Sequence, residues 1–259
     1  MTKLQFGLQI YSVRDHCQKK EDMLACLKGL KAMGYNVCQM AGQSADITPA
    51  ELRALLDESG MECPAIHTSY ERMRDDFDAF VKDMKTIGCR YLGIGMPGEY
   101  RTPEGIVRFA KEASAIGAKL AKEGMKLMYH NHAYEFERDP ETGKNIMDLL
   151  IENSDENLYF ELDLFWVQRG GANPIDMLHR LNGRMVTSHI KDMNGSADNA
   201  CVIAPIGKGN LNFGAIIPAC DECDIEYVFI EQDNAPMSGD SMACVQYSLE
   251  TLKKMGGRF

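Results

Sequence analysis

Short strand-like segments alternate with longer helical segments from one end of the chain to the other. The alternation repeats about eight times with a mean spacing of roughly 30 residues, which is the size of one strand–helix unit. The predicted strands are short apolar segments bounded by Gly, Asn or Asp. They lie near 4–10, 35–40, 62–67, 90–95, 126–132, 158–164, 185–191 and 226–231. This pattern predicts parallel strands in one sheet with the helices packed outside it.

Helical patterns occupy the intervals between these strands. The first has apolar residues at 3,4 spacing from Met23 to Met33, begins with the acidic turn Glu21-Asp22 and ends at Gly34. The others lie at 49–59, 71–87, 103–123, 143–152, 174–181, 213–222 and 240–255. Because no segment rich in Pro, Gly or Ser divides the chain, we expect a single domain over residues 1–259.

Two folds have strict strand–helix alternation at this length, an open doubly wound sheet and a closed (β/α)8 barrel. The count of eight strand–helix units favours the barrel. A doubly wound dinucleotide-binding sheet also requires a Gly-rich turn after its first strand, whereas here that strand continues into Tyr11-Ser12-Val13-Arg14. The predicted fold class is therefore α/β, a single-domain (β/α)8 TIM barrel with its active site at the C-terminal ends of the strands.

Charge and cysteine content narrow the range of partners. The 28 Lys and Arg residues against 38 Asp and Glu residues give a net charge of −10 without a basic stripe, so a nucleic-acid partner is not expected. No signal-peptide pattern and no run of about 18 apolar residues occurs, so we expect neither secretion nor membrane insertion. The nine cysteines, an odd number in apolar segments, indicate reduced thiols and a cytoplasmic location. A small molecule is the expected partner, and homo-oligomerisation is left open.

Strand six has a clean alternation of apolar and acidic residues. The period of two turns Phe160, Leu162 and Leu164 toward the helices and turns Glu161 and Asp163 into the barrel. Asp163 is therefore expected at the barrel mouth.

Strand seven follows the same rule. Val186 and Ile190 are predicted to face outward, and Thr187, His189 and Lys191 to face inward. His189 and Lys191 then point into the same space as Asp163.

The neighbouring strands add further polar groups to this rim. Strand eight ends with Glu231 and Asp233 facing inward, and strand five ends with His130 and His132, followed closely by Glu135. Asp163, His189, Glu231 and Glu135 thus come from four consecutive barrel positions and are predicted to converge.

Three carboxylates and one neutral imidazole suit a single divalent cation of intermediate hardness. Mn²⁺ is favoured, with Mg²⁺, Co²⁺, Fe²⁺ and Zn²⁺ as alternatives. A cation would also offset the mutual repulsion of several carboxylates in a semi-enclosed mouth. The alternative for each acidic residue is structural, because an inward carboxylate can cap a following helix or form an ion pair with Lys191.

Six runs of residues, mostly at strand ends, carry a family resemblance. They are GLQIYSVRD (7–15), YHNHAYEF (129–136), LDLFWVQRGGANP (162–174), SHIKDM (188–193), IGKGNLNF (206–213) and IEQD (230–233). Together they resemble the xylose-isomerase-like TIM-barrel superfamily of sugar phosphate isomerases and epimerases over essentially the whole chain. The resemblance implies that Glu135, Asp163, His189 and Glu231 are metal ligands and that Glu231 doubles as an acid/base. It does not specify the substrate, because the superfamily includes ketose 3-epimerases, inosose dehydratases, keto-glycoside lyases and apurinic endonucleases.

One stretch departs from the pattern of the ketose 3-epimerases. In those enzymes strand five ends in a glutamate that is both ligand and base, whereas this chain has His130-Asn131-His132 there and its nearest glutamate is Glu135. Either Glu135 reaches back to the metal, or His130 replaces a ligand and the chemistry differs from simple epimerisation.

The predicted chemistry is proton abstraction next to a carbonyl. A divalent ion that chelates the carbonyl and a neighbouring hydroxyl lowers the pKa of the intervening C–H by stabilising the enediolate. Glu231, His130 and His132 are the candidate bases. Lys191 could stabilise an oxyanion or protonate a leaving group; its structural alternative is an ion pair with Glu161 or Asp192.

We therefore predict a metal-dependent sugar or keto-sugar isomerase or epimerase of carbohydrate metabolism. The alternative on the same barrel is a metal-dependent lyase, either an inosose dehydratase-like enzyme or a keto-glycoside-cleaving β-eliminase. An endonuclease is disfavoured by the six histidines and the negative charge, and a non-catalytic binding protein is a further alternative.

Four residues are predicted to contact the substrate: His67, Trp166, Gln9 and Asp233. Trp166, the only tryptophan, is expected in the loop after Asp163 as an apolar wall against a sugar ring. Core packing is the alternative for both His67 and Trp166. The loop 206–210 resembles a phosphate-binding glycine loop, but it lacks a Walker pattern and we interpret it as a loop whose glycines supply open backbone angles.

Overall fold

The computed structural model describes residues 4–198 and 200–259. Within these residues eight parallel strands close into a barrel, and the last of them pairs with the first. The strands in chain order are β1 Gln5–Gln9, β2 Val37–Met40, β3 Glu62–His67, β4 Tyr91–Ile94, β5 Lys126–His130, β6 Leu158–Asp163, β7 Met185–Ile190, β8 Asp192–Gly195, β9 Cys201–Ala204 and β10 Tyr227–Ile230. β8 and β9 form an antiparallel hairpin outside the barrel. The other eight correspond to the eight predicted strands, which confirms the TIM-barrel prediction.

Helices surround the barrel. They are α1 Lys20–Met33, α2 Pro49–Ser59, α3 Tyr70–Asp75, α4 Phe77–Ile87, α5 Pro103–Lys122, α6 Ile146–Asn153, α7 Leu164–Arg169, α8 Pro174–Arg180, α9 Phe213–Glu222 and α10 Ser241–Lys254. Local chemistry sets their ends: Thr48 and Glu51 form a capping box at the start of α2, and α1 ends at Gly34 with φ +113°. Over residues 4–198 and 200–259, no helix is long and apolar enough to cross a membrane.

Two helical predictions are corrected by the structure. The predicted helix 71–87 is divided into α3 and α4 at Asp76, whose φ of −143° is not helical. Trp166 lies in α7 and not in a loop, because the Asp163 carboxylate accepts a hydrogen bond from the Trp166 backbone N–H at 3.0 Å and starts a helix at once. Leu164 is therefore helical and does not extend β6.

The predicted outward orientation of Val186 is wrong. The register between β6 and β7 shifts between the pairs Phe160–Met185 and Leu162–Ser188, so β7 contains one extra residue there. This irregularity interrupts the alternation, and Val186 packs with Tyr227 and Phe229. Thr187 and His189 still face inward, as their contacts with interior side chains show.

The barrel interior has two layers. Its lower layer, toward the strand N-termini, is apolar and contains Val37, Ala65, Tyr91, Met128, Val186, Tyr227 and Phe229. The upper layer contains buried polar side chains. This division places the polar groups at the C-terminal ends of the strands.

Candidate active site

A cavity of about 500 Å³ opens at the C-terminal ends of the barrel strands. This is the end at which TIM barrels carry their active sites. The predicted site residues on its walls are His67, His130, His132, Lys191, Glu231 and Asp233. Two more, Asp163 and His189, are fully buried and contact these wall residues.

Four side chains from adjacent strands converge beside this cavity. His130, Asp163, His189 and Glu231 each offer a ligand atom, and these atoms all lie within 4.8 Å of one another. We call these four residues the outer group. They meet because they end or directly follow neighbouring parallel strands and share the inward phase of the alternation.

A second set of potential ligands shares two histidines with the outer group. His67, His130, Glu161 and His189 also offer atoms within 4.8 Å of one another. We call them the inner group. Glu161 is fully buried and its Oε2 lies 2.5 Å from His67 Nε2.

Lys191 places an ammonium group among three carboxylates. Its Nζ is 3.1 Å from Asp163 Oδ2, 2.9 Å from Glu231 Oε2 and 2.8 Å from Asp233 Oδ2. Burial opposes the charge, but the carboxylates outweigh burial and raise the pKa of Lys191 above its ordinary value. Lys191 is therefore a permanent cation. The ion pairs expected as its structural alternative exist, although their partners are not Glu161 or Asp192.

In the outer group, the pKa values of the two carboxyl groups and of His189 are all shifted from their ordinary values. Burial raises the pKa of Asp163 to about 6 against the opposing charge of Lys191. Burial also acts on Glu231, but Lys191 and His189 hold the pKa of Glu231 well below its usual range. Burial disfavours a charged His189, yet Glu161 and Glu231 raise the pKa of His189 to about 10. A metal ligated by His189 must therefore displace a proton.

The pKa values of the two histidines at the end of strand five are lowered, whereas that of His189 is raised. Burial lowers the pKa of His130, and the neighbouring His189 lowers it further. Burial and then the charge of Lys191 lower the pKa of His132. Both imidazoles are consequently neutral at pH 7. The His132 ring lies on the cavity wall, with its centroid 5.6 Å from that of Trp166.

Glu135, the predicted ligand after strand five, lies apart from both groups. It is fully buried in a 3-10 turn. Its Oε1 accepts a hydrogen bond from the Tyr129 hydroxyl at 2.8 Å, and its Oε2 accepts one from the His132 backbone N–H at 2.9 Å. The structure therefore brings His130, and not Glu135, next to Asp163, His189 and Glu231.

Gln39 is a site residue that the sequence analysis missed. Its side chain contacts Gln9, Glu161 and His189 inside the barrel. The signal was present, because position 39 in Val-Cys-Gln-Met alternates with outward Cys38 and Met40. Gln9, predicted to bind substrate, is fully buried and bonds to Gln39.

Trp166 and Asp233 support the cavity in different ways. The Trp166 ring lies 5.2 Å from Lys191 Nζ and packs behind His132. Asp233 lies on the cavity wall and binds Lys191. The position of Asp233 is compatible with contact to a substrate, whereas Trp166 supports His132 and Lys191 from behind.

The glycine loop 206–210 already binds an anion from its own chain. The buried Asp192 carboxylate accepts hydrogen bonds from the backbone N–H groups of Gly207, Gly209 and Leu211 at 2.8, 2.8 and 3.1 Å. Gly207 has φ +91°, as expected for a loop that needs open backbone angles. The amides that could cradle a phosphate are thus engaged by Asp192.

Comparison with known proteins identifies the family. A model of the xylose isomerase-like TIM barrel matches residues 27–255. The chain belongs to the xylose isomerase-like TIM-barrel family.

The proteins that this chain resembles have names that describe different activities. An inosose dehydratase of Geobacillus kaustophilus is 28% identical over 192 residues, which are 64% of this chain and 61% of that protein. The chain thus spans about three fifths of the length of this curated relative. A sugar phosphate isomerase/epimerase of Parabacteroides distasonis ATCC 8503 has a TM-score of 0.79 at 23% identity, covering 97% of this chain and 94% of the other. The IOLI protein, solved with a zinc atom, has a TM-score of 0.69 at 14% identity over 96% of both chains. The last two similarities show a shared fold.

The residues of the outer group fit a divalent metal ion. Imidazole and carboxylate together are ordinary ligands of Zn²⁺, Fe²⁺ and Mn²⁺. Asp163 Oδ2 is buried between the Lys191 ammonium at 3.1 Å and His130 Nε2 at 3.9 Å. A carboxylate oxygen and a potential ligand nitrogen therefore already lie close together at this point.

Proposed function

We propose that this chain is a metal-dependent lyase that takes a proton next to the carbonyl of a cyclic polyol ketone or keto-sugar and expels a β-substituent. The main support for this proposal is the segment that follows β5. There His132 presents a neutral imidazole to the cavity, and Glu135 is turned toward Tyr129. The similarity to an inosose dehydratase supports the same class of reaction.

The outer group, His130, Asp163, His189 and Glu231, would hold the metal. When bound, a divalent ion polarises the substrate carbonyl as a Lewis acid. With His130 in place of the predicted Glu135, the donors become two imidazoles and two carboxylates. This exchange moves the expected preference from Mn²⁺ toward Fe²⁺ and Zn²⁺.

His132 is the proposed base. Its lowered pKa keeps the imidazole neutral near pH 7, so a ring nitrogen can accept the proton from the substrate carbon. The imidazolium then donates this proton to the β-hydroxyl as its C–O bond breaks, and the hydroxyl leaves as water. The positive charge of Lys191 on the cavity wall stabilises negative charge on the carbonyl oxygen.

An isomerase or epimerase is the second candidate. Inversion at one carbon requires two acid/base groups on opposite sides of it, and Glu231 and His132 line the same cavity from different strands. Burial acts to raise the pKa of Glu231, but Lys191 opposes burial and holds this pKa well below its usual range. A carboxylate with so low a pKa is a weak base, and this weakness favours elimination with His132 as the only base.

The test is the product formed by metal-loaded protein from an inosose and from a panel of keto-sugars in D₂O. A lyase yields a product lighter by water or by an aglycone, whereas an epimerase yields a product of substrate composition that carries solvent deuterium. We expect His132→Asn to lower kcat by about 10²–10⁴-fold with unchanged metal content.

The matched control is His179→Asn. His179 is on α8, exposed and paired with Glu222, so its replacement should leave kcat unchanged. Wild-type turnover in His132→Asn together with inactivity of Glu231→Gln that retains its metal would overturn the lyase proposal and favour the epimerase.

A further inference from the structure

We infer that Gln39 and Glu161 are positioning residues that set the tautomer of His189, so that its Nδ1 faces the metal and its Nε2 does not. This inference rests on the metal ligands proposed above but not on the proposed reaction. The observation behind it is a directed chain of hydrogen bonds beneath the cavity.

The Glu161 carboxylate fixes the direction of these hydrogen bonds, because a carboxylate only accepts hydrogen bonds. Its Oε1 accepts from Gln39 Nε2 at 2.7 Å and from Thr187 Oγ1 at 2.6 Å. The amide nitrogen of Gln39 must therefore face Glu161, and its oxygen must face the other way.

The Gln39 amide oxygen then determines which His189 nitrogen carries hydrogen. Gln39 Oε1 lies 2.5 Å from His189 Nε2 and also accepts from Gln9 Nε2 at 2.7 Å. Because an amide oxygen cannot donate, His189 Nε2 must be protonated. A reversed Gln39 amide would place its oxygen against the Glu161 carboxylate and its NH₂ against the NH₂ of Gln9.

The other nitrogen of His189 faces the outer group. His189 Nδ1 is 2.9 Å from Glu231 Oε2. When His189 is a neutral ligand, the hydrogen remains on Nε2 and the lone pair of Nδ1 points toward Glu231. Gln39 thereby presents the ligand nitrogen in the correct orientation, as hydrogen-bond partners of metal-binding histidines do elsewhere.

The same contacts distinguish the two groups of potential ligands. In the inner group His189 would bind metal through Nε2, which lies 3.5 Å from Glu161 Oε1. That nitrogen is engaged by Gln39, and both Glu161 oxygens are engaged by Gln39, Thr187 and His67. The inner group is therefore a hydrogen-bonded support, and the outer group is the metal site.

The experiment is NMR of ¹⁵N-histidine-labelled full-length protein loaded with ¹¹³Cd²⁺. We expect a one-bond ¹¹³Cd–¹⁵N scalar coupling to Nδ1 of His189, and we expect Nε2 to be protonated and to show no such coupling. Coupling to His189 Nε2 would overturn the inference and leave the metal site intact. Absence of cadmium coupling to both His130 and His189 would overturn the proposed ligands and this inference together.

A pair of variants tests the role of Gln39. Gln39→Met keeps the length of the side chain but removes its hydrogen bonds, and we expect a loss of about 10–100-fold in Cd²⁺ affinity by titration calorimetry. Gln9→Met is the control, because it leaves the contacts of Gln39 with His189 and Glu161 in place, and its affinity should stay near that of the wild type. Equal affinities in wild type and Gln39→Met, with an unchanged His189 tautomer, would contradict the inference. If Gln39→Met does not fold, the coupling pattern of the wild-type protein decides the question.

Discussion

Lys191 is the residue on which the charge balance of the mouth depends. Its ammonium is 1% exposed and lies within 3.1 Å of carboxylate oxygens of Asp163, Glu231 and Asp233. Buried ions of this kind are costly to separate, because removing one partner leaves the others without compensation. A metal held by the outer group would therefore share Asp163 and Glu231 with Lys191.

We predict that Lys191→Met lowers the free energy of unfolding of the metal-free protein by about 3–5 kcal/mol at pH 7. The deficit should shrink on acidification. Against the effect of burial, Lys191 lowers the pKa of Glu231, so in the wild type this carboxylate contributes stability above its unfolded pKa and loses it as the pH falls through the folded value. Without Lys191 the effect of burial is less opposed and the folded pKa of Glu231 rises, so protonation of this carboxyl group relieves part of the deficit as the pH falls. Urea denaturation between pH 4 and pH 8 measures both effects.

The control for this change is Lys208→Met. Lys208 is exposed and lies over the Tyr247 ring, so its replacement should change stability by about 0.5 kcal/mol or less. A Lys191→Met deficit that stays constant across the pH range would contradict the proposed electrostatic origin.

Among structural elements, the β8–β9 hairpin depends on one carboxylate. Asp192 is buried and accepts backbone hydrogen bonds from Met193 in the hairpin and from Gly207, Gly209 and Leu211 in the following loop. Asp192 follows Lys191 directly in the sequence, and its carboxylate joins the hairpin to the loop that comes after it. The Asp192 carboxylate engages the loop amides that would otherwise be free to bind an anion.

We predict that Asp192→Ala lowers the free energy of unfolding by about 3–5 kcal/mol, because it removes one buried carboxylate that accepts hydrogen bonds from four partly buried backbone amides. Amide hydrogen exchange should accelerate over 192–211, and inorganic phosphate should stabilise the variant but not the wild type. Asp198→Ala, in the exposed turn of the same hairpin, is the control and should show neither effect. Phosphate stabilisation of the wild type would show that the loop binds anions despite Asp192.

At the scale of the whole molecule, the strand ends of β5, β6, β7 and β10 are coupled through the outer group. A ligand that binds only the folded state adds stability, by about 2.7 kcal/mol when its free concentration is about 100 times Kd. A metal bound by four side chains from four strands therefore stabilises the closed barrel.

We predict about one bound divalent metal per chain and a lower melting temperature after chelation. His189→Ala should bind metal weakly and should show little further loss on chelation, whereas His67→Ala should keep its metal. Elemental analysis and thermal denaturation with and without chelator measure these effects. Equal metal content in wild type and His189→Ala would contradict the ligand assignment.

The sequence alone was sufficient to predict the barrel fold and many of the side chains that face its mouth. The repeating strand–helix pattern predicted all eight barrel strands, because hydrophobic periodicity is a local property of the chain. The period of two also predicted that Asp163, His189, Lys191 and Glu231 face one space. Each of these inferences needs only a strand and its direction.

Only the tertiary structure decided which of these groups meet, and on which atoms. The shifted register at β7 turned Val186 inward, and the turn after β5 sent Glu135 to Tyr129 and left His130 beside Asp163. Gln39 reaches His189 from a strand that is not its neighbour in the barrel. Such contacts depend on how the sheet closes and on angstrom-scale differences in register, and residues 150 positions apart in the chain carry no local signal of them.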